Sequence, residues 1–235
     1  MSPSNPIIQL TDVRRTYDVG AEQIHALDGV TAAVYENEYV AVMGHSGSGK
    51  STLARCVLLL ERPDSGEIVF DNVSLLAAGG EEVKRLRKRM QIIFQDPYSS
   101  LNPRMTVMNI VANPLRIHDV CRGKELEDRV ADLLRRVGLQ PEHMRRYPHA
   151  FSGGQRQRIG IARALALEPR LVIADEPVSA LDVSVQAQVL NLLHDLQQEF
   201  GLTYLFISHD LSVVKYVSDR VAVMYVGKLV ETAPT

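Results

Sequence analysis

Eight residues in the first quarter of the chain constrain its fold more than any other stretch. They match the phosphate-loop pattern G-x-x-x-x-G-K-[ST] at every fixed position. The residues are Gly44, His45, Ser46, Gly47, Ser48, Gly49, Lys50 and Ser51. Residues 39–43 before them are apolar and predict a buried strand, and residues 50–60 after them contain good helix formers without Gly or Pro. Strand, glycine loop and helix, in that order, predict a site for nucleotide phosphates.

The chemistry of such a loop follows from its residue types. Glycines allow backbone N–H groups to turn inward toward a phosphate, and the N-terminus of the following helix adds unpaired donors. Lys50 would reach the β- and γ-phosphates, and the Ser51 hydroxyl would bind Mg²⁺. Thr52, the next residue, completes the predicted ATP-binding set. The alternative is a Gly- and Ser-rich turn that matches the pattern by chance.

Length and composition limit the classes of protein to which this chain can belong. With 235 residues, of which 46% are hydrophobic, the chain can form one large α/β domain or a core with a subdomain. Its net charge of −2 gives no sign of a nucleic-acid partner, and two cysteines are too few for a disulfide framework or a zinc ribbon. The N-terminus has no basic start and no apolar signal core, so we expect a cytoplasmic location.

The order of apolar and turn-rich segments predicts an α/β core with an inserted helical subdomain. Strands are expected at 7–13 and, after a turn over 19–23, as a strand pair at 24–34. Turn residues follow Asp96, and an apolar face at spacings of three and four then predicts helices. We therefore assign 1–95 and 167–235 to a core with a mixed sheet and an N-terminal antiparallel part, and about 96–166 to the helical subdomain.

A second set of acidic residues lies downstream of the phosphate loop. Four apolar residues, 171–174, predict a strand that ends in Asp175 and Glu176. Asp175 is the candidate ligand of Mg²⁺, directly or through water. Glu176 is placed where it can act as a general base on a water in line with the γ-phosphate. The alternative for this acidic pair is a solvated turn at the strand end.

A third signal combines with the first two to indicate a family. Ser152, Gly153, Gly154 and Gln155 open a predicted helix, which makes a second phosphate-binding device in a chain with a single phosphate-loop lysine. At this point the chain resembles the nucleotide-binding subunits of ABC transporters over nearly all of its length. That resemblance implies a head-to-tail dimer in which the loop of one subunit faces Ser152 and Gly154 of the other across ATP.

The resemblance also implies roles for four further residues. Tyr17 corresponds to the aromatic residue that stacks on adenine. Gln95 corresponds to the residue that touches Mg²⁺ and the attacking water and that senses the membrane partner. Asp182 falls in the loop that spans the dimer, and His209 corresponds to the histidine on the γ-phosphate. The resemblance thus implies an ATPase with ATP and Mg²⁺ as cofactors.

Three longer strings are similar to those of importers for peptides and nickel, the oligopeptide and dipeptide type. They are residues 95–104, 149–158 and 176–186. This finer resemblance implies a second ABC ATPase subunit, identical or related, and two transmembrane permease subunits. It implies an extracytoplasmic solute-binding protein as an indirect partner, no nucleic acid, and a peripheral position at the cytoplasmic face of the cell's inner membrane. Ala150 stands where this group more often has Glu.

Alternatives remain open at this stage. Residues 15–20 and 25–27 also resemble ABC subunits for lipoprotein release and macrolide export. Peptide-importer subunits usually continue beyond the position of Thr235, so we expect either a truncated chain or a short member. A non-transport ABC ATPase acting on nucleic acid or ribosomes, and a phosphate-loop kinase or GTPase, are further classes. His45 occupies a variable loop position, where a protonated imidazole would contact phosphate and introduce a small pH effect.

Overall fold

Strands and helices alternate along the chain in the computed structural model, which describes residues 5–20 and 22–235. The strands are β1 Ile8–Val19, β2 Glu22–Val34, β3 Tyr39–Met43, β4 Ser65–Phe70, β5 Val73–Ser74, β6 Met90–Ile93, β7 Leu171–Asp175, β8 Thr203–Ile207, β9 Arg220–Tyr225 and β10 Lys228–Pro234. The helices are α1 Lys50–Val57, α2 Gly80–Arg89, α3 Val107–Ile117, α4 Gly123–Arg136, α5 Gly153–Leu165, α6 Val183–Phe200 and α7 Leu211–Val217. Short 3-10 helices are found at Pro141–Arg145 and Pro148–Ala150.

A six-stranded sheet of order β10-β9-β3-β8-β7-β6 forms the centre of the fold. Strands β9, β3, β8, β7 and β6 are parallel to their neighbours, and β10 pairs with β9 in the antiparallel sense. Parallel strands end at the same edge of a sheet, where ligands bind in α/β proteins. The loops that follow β3, β6, β7 and β8 therefore meet at one edge. The predicted mixed sheet is confirmed.

A second, antiparallel sheet of order β2-β1-β4-β5 confirms the predicted N-terminal antiparallel part. The sequence predicted a strand pair within 24–34, and this is wrong, because β2 runs unbroken from Glu22 to Val34. Asp28 and Gly29 resemble a turn in sequence, yet the β1 pairing shifts register there and Gly29 takes a φ of +80°. The strand bulges at this point and continues. Part of the turn predicted over 19–23 lies outside the described residues.

The core consists of two clusters, one on each face of the six-stranded sheet. Along β8, Tyr204 and Phe206 belong to one cluster and Leu205 and Ile207 to the other. This alternation follows from the two-residue period of a strand, and both faces are buried, as in other parallel sheets. Each fully buried side chain of this size contributes roughly 1.5–3 kcal/mol to folding.

Helices α3, α4 and α5 lie within the span that the sequence assigned to a helical subdomain. The face of α4 formed by Leu126, Val130 and Leu134 is buried in the cluster that also receives α3 and α5. The N-cap of α3 is Thr106, whose hydroxyl accepts from the Asn109 N–H at 3.4 Å. In the described part of the chain, no helix combines the length and apolar character needed to cross a membrane.

Candidate nucleotide site

A cavity with a volume of about 1190 Å³ lies at the edge of the sheet where β3, β6, β7 and β8 end. Residues 44–47 and 49–52 line it, together with Gln95, Glu176 and His209. Four separate stretches of sequence thus contribute side chains to one cavity because their strands are parallel neighbours. Ser48, the remaining residue of the loop, is buried and is not part of the lining.

Two loop positions require glycine. Gly44 has a φ of +153°, and a Cβ there would lie 2.2 Å from the Met224 carbonyl oxygen. Gly49 has a φ of +102°, and a Cβ there would lie 2.1 Å from the Ala26 carbonyl oxygen. Backbone from β9 and β2 therefore closes on both ends of the loop, and this close approach holds the N–H groups of the loop in place.

The side chain of Lys50 is hydrogen-bonded to the backbone of its own loop. Its Nζ donates to the carbonyl oxygens of Gly44 at 2.7 Å and His45 at 2.9 Å. Burial lowers the pKa of Lys50, and the nearby carboxylates of Glu176 and Asp175 act in the opposite direction. A buried ammonium beside loop N–H groups is an arrangement that binds the β- and γ-phosphates of a nucleotide.

Asp175 and Ser51 place oxygen atoms next to each other although they are 124 positions apart. The Ser51 hydroxyl donates to Asp175 Oδ1 at 3.4 Å. Burial raises the pKa of the Asp175 carboxyl, the Ser51 hydroxyl lowers it, and the charge of Glu176 raises it further. A carboxylate of this kind is stabilised by any cation that enters beside it.

Glu176 is the centre of a hydrogen-bonded trio. Its Oε2 accepts from Gln95 Nε2 at 2.9 Å, and its Oε1 lies 3.1 Å from His209 Nδ1. Its side chain is only 17% exposed. The backbone at Glu176 has a φ of +44°, an unfavourable value for this residue type, and its N–H donates to the Ile207 carbonyl at 3.0 Å. Strained backbone of this kind is typical of functional sites.

Residues 152–155 lie outside the lining of this cavity. Ser152 caps α5, and its side chain forms a reciprocal capping box with Gln155. Gly153 and Gly154 open the helix, and none of the four residues lines the cavity. Asp182, predicted to lie at the dimer interface, is the N-cap residue of α6 and is also outside the lining.

Tyr17 lies at the margin of the cavity. It pairs across the sheet with Ile24, which lines the cavity, although Tyr17 itself does not. The Tyr17 hydroxyl donates to Glu61, and the Arg15 guanidinium lies 4.9 Å from the centroid of the ring. One face of the ring is thus covered by a cation. The assignment of Tyr17 to adenine stacking stays a prediction.

Sequence reasoning missed the apolar wall of the cavity. Ile24, Met43, Leu211, Tyr225 and Val230 line it and belong to five different elements or their ends. No local pattern marks Tyr225 and Val230, because they reach the cavity only through the pairing of β9 with β3 and of β10 with β9. The glycine at 227 is the single local signal, since it marks the hairpin that carries Tyr225 to this place.

The fold and the site together define a phosphate-loop nucleotide-binding protein with an inserted helical subdomain. A family model described as "ABC transporter" matches residues 27–179. The chain belongs to the ABC transporter family and forms its ATP-binding cassette, an ATPase domain. The predicted fold class and the resemblance to ABC ATP-binding subunits are both confirmed.

Relatives extend over nearly the whole chain. The oligopeptide transport ATP-binding protein OppF of Streptococcus mutans is 53% identical over 227 residues, which are 96% of this chain and 74% of OppF. The glutathione import ATP-binding protein GsiA of Pectobacterium atrosepticum is 50% identical over 238 residues, which cover 98% of this chain but 38% of GsiA. The chain therefore spans less than half of GsiA and about three quarters of OppF.

Solved structures share the same fold. The ATP-binding cassette MJ0796, in a dimeric post-hydrolysis state bound to ADP and Pi, superposes with a TM-score of 0.87 at 32% identity. That comparison covers 97% of this chain and 98% of MJ0796. A cbiO1 structure from Clostridium perfringens, described as part of the transporter complex cbiONQ, has a TM-score of 0.84 at 30% identity.

Proposed function

We propose that this chain is the ATP-hydrolysing motor subunit of an importer for di- or oligopeptides or a related small solute. Relatives near 50% identity are named for oligopeptide and glutathione import, and both cargoes are peptides. The strings at 95–104, 149–158 and 176–186 support the same group. The cargo itself would be bound by other subunits, because every residue assigned here serves nucleotide binding or hydrolysis.

One observation carries the proposal that two cassettes act together. The loop, Gln95, Glu176 and His209 line the cavity, whereas Ser152–Gln155, the second phosphate-binding device, do not. A helix N-terminus with free N–H groups that faces away from its own site can serve the site of a second subunit. We therefore assign Ser152 and Gly154 to the ATP of a partner cassette, which is either a second copy or a related chain.

The residues at the loop suit a bound Mg²⁺ ion. Ser51 Oγ and Asp175 Oδ1 are 3.4 Å apart, close to the roughly 3 Å between neighbouring oxygens around an ion with ligands at about 2.0–2.1 Å. Hydroxyl, carboxylate and the Gln95 amide oxygen are hard donors of the type that Mg²⁺ prefers. When bound, Mg²⁺ would neutralise charge on the β- and γ-phosphates of ATP.

Four polar side chains of the cavity then have roles in hydrolysis. Lys50 and the loop N–H groups hold the phosphates, and Glu176 takes the proton from the attacking water. Gln95 donates to Glu176 and so fixes the direction of its carboxylate. The Nδ1 atom of His209 lies beside Glu176 Oε1, the second oxygen of the same carboxylate. From there the His209 ring can reach the γ-phosphate and stabilise the charge that develops on the phosphate.

We further propose that the cassette acts at the cytoplasmic face of the cell membrane, beside two transmembrane permease subunits and indirectly with an extracytoplasmic solute-binding protein. Closure of two cassettes around ATP would move the membrane subunits, and hydrolysis would reset them. Recovery of the chain with membrane fractions that contain the co-expressed permeases tests this part. A chain that stays entirely in the supernatant would favour a non-transport ABC ATPase.

The central experiment measures molar mass by light scattering for the wild type and Glu176→Gln, with and without ATP and Mg²⁺. Glu176→Gln keeps the shape of the side chain but removes the base, so we expect an ATP-bound dimer to accumulate while the nucleotide-free protein stays monomeric. Glu67→Gln is the matched control, because Glu67 is exposed on β4 and does not line the cavity. We expect it to behave as wild type.

Two other outcomes are informative. A Glu176→Gln monomer that still binds ATP would reject self-pairing and direct the search to a different partner cassette. A chain that binds no ATP at all would overturn the assignment of residues 44–51.

A further inference from the structure

The residues that follow β7 form a tight turn, which we call the base turn, residues 176–182. It begins with Glu176, the assigned general base, and leads into α6. Two backbone hydrogen bonds fold it back on itself. The Ser179 N–H donates to the Glu176 carbonyl at 3.2 Å, and the Leu181 N–H donates to the Val178 carbonyl at 3.1 Å. The direction of the Glu176 side chain therefore depends on what holds this turn in place.

The base turn starts in an unfavourable backbone conformation. Glu176 has a φ of +44°, which residues with a side chain rarely adopt. Backbone of this kind persists only where the surrounding contacts determine it. On the side of the sheet, the Glu176 N–H donates to the Ile207 carbonyl at 3.0 Å and fixes the start of the turn. The remainder of the turn requires contacts of its own for the same reason.

The N-cap of α6 does not supply those contacts. Asp182 is the N-cap residue, but within the described part of the chain its side chain makes no capping hydrogen bond. A capping carboxylate would accept from the N–H of the second or third helical residue and so fix the loop to the helix. The Asp182 side chain is instead exposed, as its assignment to the interface with a partner cassette requires. The cap thus leaves the turn without the support that Asp usually gives at this position.

Gln186 lies one turn into α6 and joins the helix to the base turn. Its Nε2 donates to the Val178 carbonyl at 3.0 Å and to the Leu181 carbonyl at 3.0 Å. Both partners are carbonyl oxygens, which only accept, so the amide nitrogen and not the amide oxygen must face them. The side chain of Gln186 is partly buried, which strengthens these hydrogen bonds relative to bonds exposed to water. One amide group therefore holds two separate points of the turn.

Ser179 makes the position of the base turn important for the base. It directly follows Val178, whose carbonyl Gln186 holds, and its hydroxyl donates to the Glu176 carbonyl at 3.0 Å. The same hydroxyl lies 3.5 Å from Nε2 of Gln95, the residue that donates to the Glu176 carboxylate. The part of the turn that Gln186 holds thus contacts both the base and the amide that orients it.

We propose that Gln186 is a positioning residue for hydrolysis, which fixes the base turn through the Val178 and Leu181 carbonyls and thereby the direction of the Glu176 carboxylate. The consequence for the rate rests on the proposed role of Glu176 as general base, whereas the contacts of Gln186 lie within one chain. Gln186 does not line the cavity. Its effect should therefore fall on the chemical step and not on the binding of nucleotide.

Three substitutions separate the N–H donors of Gln186 from the size of its side chain. Gln186→Met keeps the length of the side chain but removes both donors. Gln186→Arg restores N–H donors that can reach the same carbonyls. Gln188→Met is the matched control, because Gln188 is exposed on the same helix. We expect all three variants to fold, because the side chains of Val178 and Leu181 still pack in or against the core.

Amide hydrogen exchange of the nucleotide-free chain and steady-state phosphate release are measured together. For Gln186→Met we expect the N–H groups of Ser179 and Leu181 to exchange about threefold faster. The kcat should fall on the order of tenfold, because a small displacement of the base from its productive position slows the chemical step. The Kd of a fluorescent ATP analogue should change by less than about twofold. Gln186→Arg should recover most of kcat, and Gln188→Met should match the wild type.

Two results would overturn the proposal. One is unchanged exchange of Ser179 and Leu181 in Gln186→Met, since the side chain would then not hold the turn. The other is an equal loss of kcat in Gln186→Met and Gln186→Arg, since the N–H donors would then not be its cause. Glu176→Gln separates these failures from a failure of the proposed function. If that variant hydrolyses ATP as fast as the wild type, Glu176 is not the base, while faster exchange in Gln186→Met still shows that Gln186 holds the turn.

Discussion

Glu176 accepts a hydrogen bond from Gln95 across 2.9 Å, although the two residues are 81 positions apart. This contact exists because β6 and β7 are adjacent parallel strands, with Ile93 paired with Ala174 just before both residues. The amide of Gln95 thus orients the carboxylate that we assign as general base. Any change in the path of the chain after β6 alters the direction of that base.

His209 should affect the rate of hydrolysis more than the binding of ATP. Its Nδ1 lies 3.1 Å from Glu176 Oε1, and its ring is placed to act on charge that develops in the transition state. For His209→Ala we expect kcat to fall on the order of 100-fold while KM changes by less than about threefold. Phosphate release measures both. His194→Ala, on the exposed side of α6, is the control. A rise in KM with an unchanged kcat would argue that His209 only binds substrate.

The ionised carboxylate of Asp175 should lower the free energy of unfolding when no cation is bound beside it. Burial raises the pKa of its carboxyl above the ordinary value of 3.8, so between these two pKa values the folded state binds more protons than the unfolded state. The contribution of Asp175 to stability is fully present below its pKa in the unfolded state. It is lost as pH rises through its pKa in the folded state. For Asp175→Asn at pH 7 we expect Tm to rise on the order of 2 °C without nucleotide.

The same substitution should weaken the binding of Mg²⁺ with ATP, because a carboxylate oxygen is lost. Differential scanning calorimetry from pH 7 down toward 4 should show the gain in Tm shrinking as wild-type Asp175 becomes protonated. Asp195→Asn, exposed on α6, is the control for loss of one negative charge. A Tm that falls in Asp175→Asn at pH 7 would contradict the assigned effect of burial.

Gly154 should not tolerate a methyl group. A Cβ at this position would lie 2.4 Å from Val185 Cγ1 on α6. We expect Gly154→Ala to destabilise the fold by about 1–3 kcal/mol through overpacking and to reduce ATPase activity. Denaturant unfolding and phosphate release measure the two effects.

Two further variants separate the steric clash from a general effect of Ala in the helix. Val185→Ala combined with Gly154→Ala should recover part of the stability, because the contact atom is removed. Gly160→Ala in the same helix has nothing within 4 Å of its Cβ and should stabilise by up to about 1 kcal/mol. Equal losses in Gly154→Ala and Gly160→Ala would show that the clash with Val185 is not the cause.

Tyr17 should determine affinity for the base and not for the phosphates. Arg15 covers one face of its ring, Glu61 holds its hydroxyl, and its strand partner Ile24 lines the cavity. For Tyr17→Leu we expect the Kd for ATP to rise on the order of tenfold, since stacking contributes about 1–3 kcal/mol per base. Competition against a fluorescent ATP analogue measures this, and inorganic triphosphate is the control ligand. Equal losses for both ligands would indicate damage to the loop.

Much of the fold could be predicted because its signals are local. The loop at 44–51 combines fixed glycines with a strand before it and a helix after it, and these properties depend only on neighbouring residues. The buried strand at 171–174 and the acidic pair after it are local in the same sense. Family resemblance then supplied what spacing does not, namely the roles of Gln95, Asp182 and His209.

The β2 strand shows where local reasoning fails. Asp28 and Gly29 have the residue types of a turn, but the pairing of β1 with β2 turns them into a bulge. The energy of that pairing is set by long-range contacts that the residue pattern does not contain. The apolar wall of the cavity was missed for a similar reason, since Tyr225 and Val230 reach it only through the order of strands in the sheet.

The sequence by itself determined which chemistry is possible: phosphate binding by a glycine loop and a lysine, metal binding by a hydroxyl and a carboxylate, and a base beside them. Tertiary structure decided which of these groups share a site. Parallel neighbours in the sheet bring Lys50, Gln95, Glu176 and His209 to one edge, while the capping box and the packing against Val185 fix Ser152–Gln155 away from it. That separation follows from long-range pairing and packing.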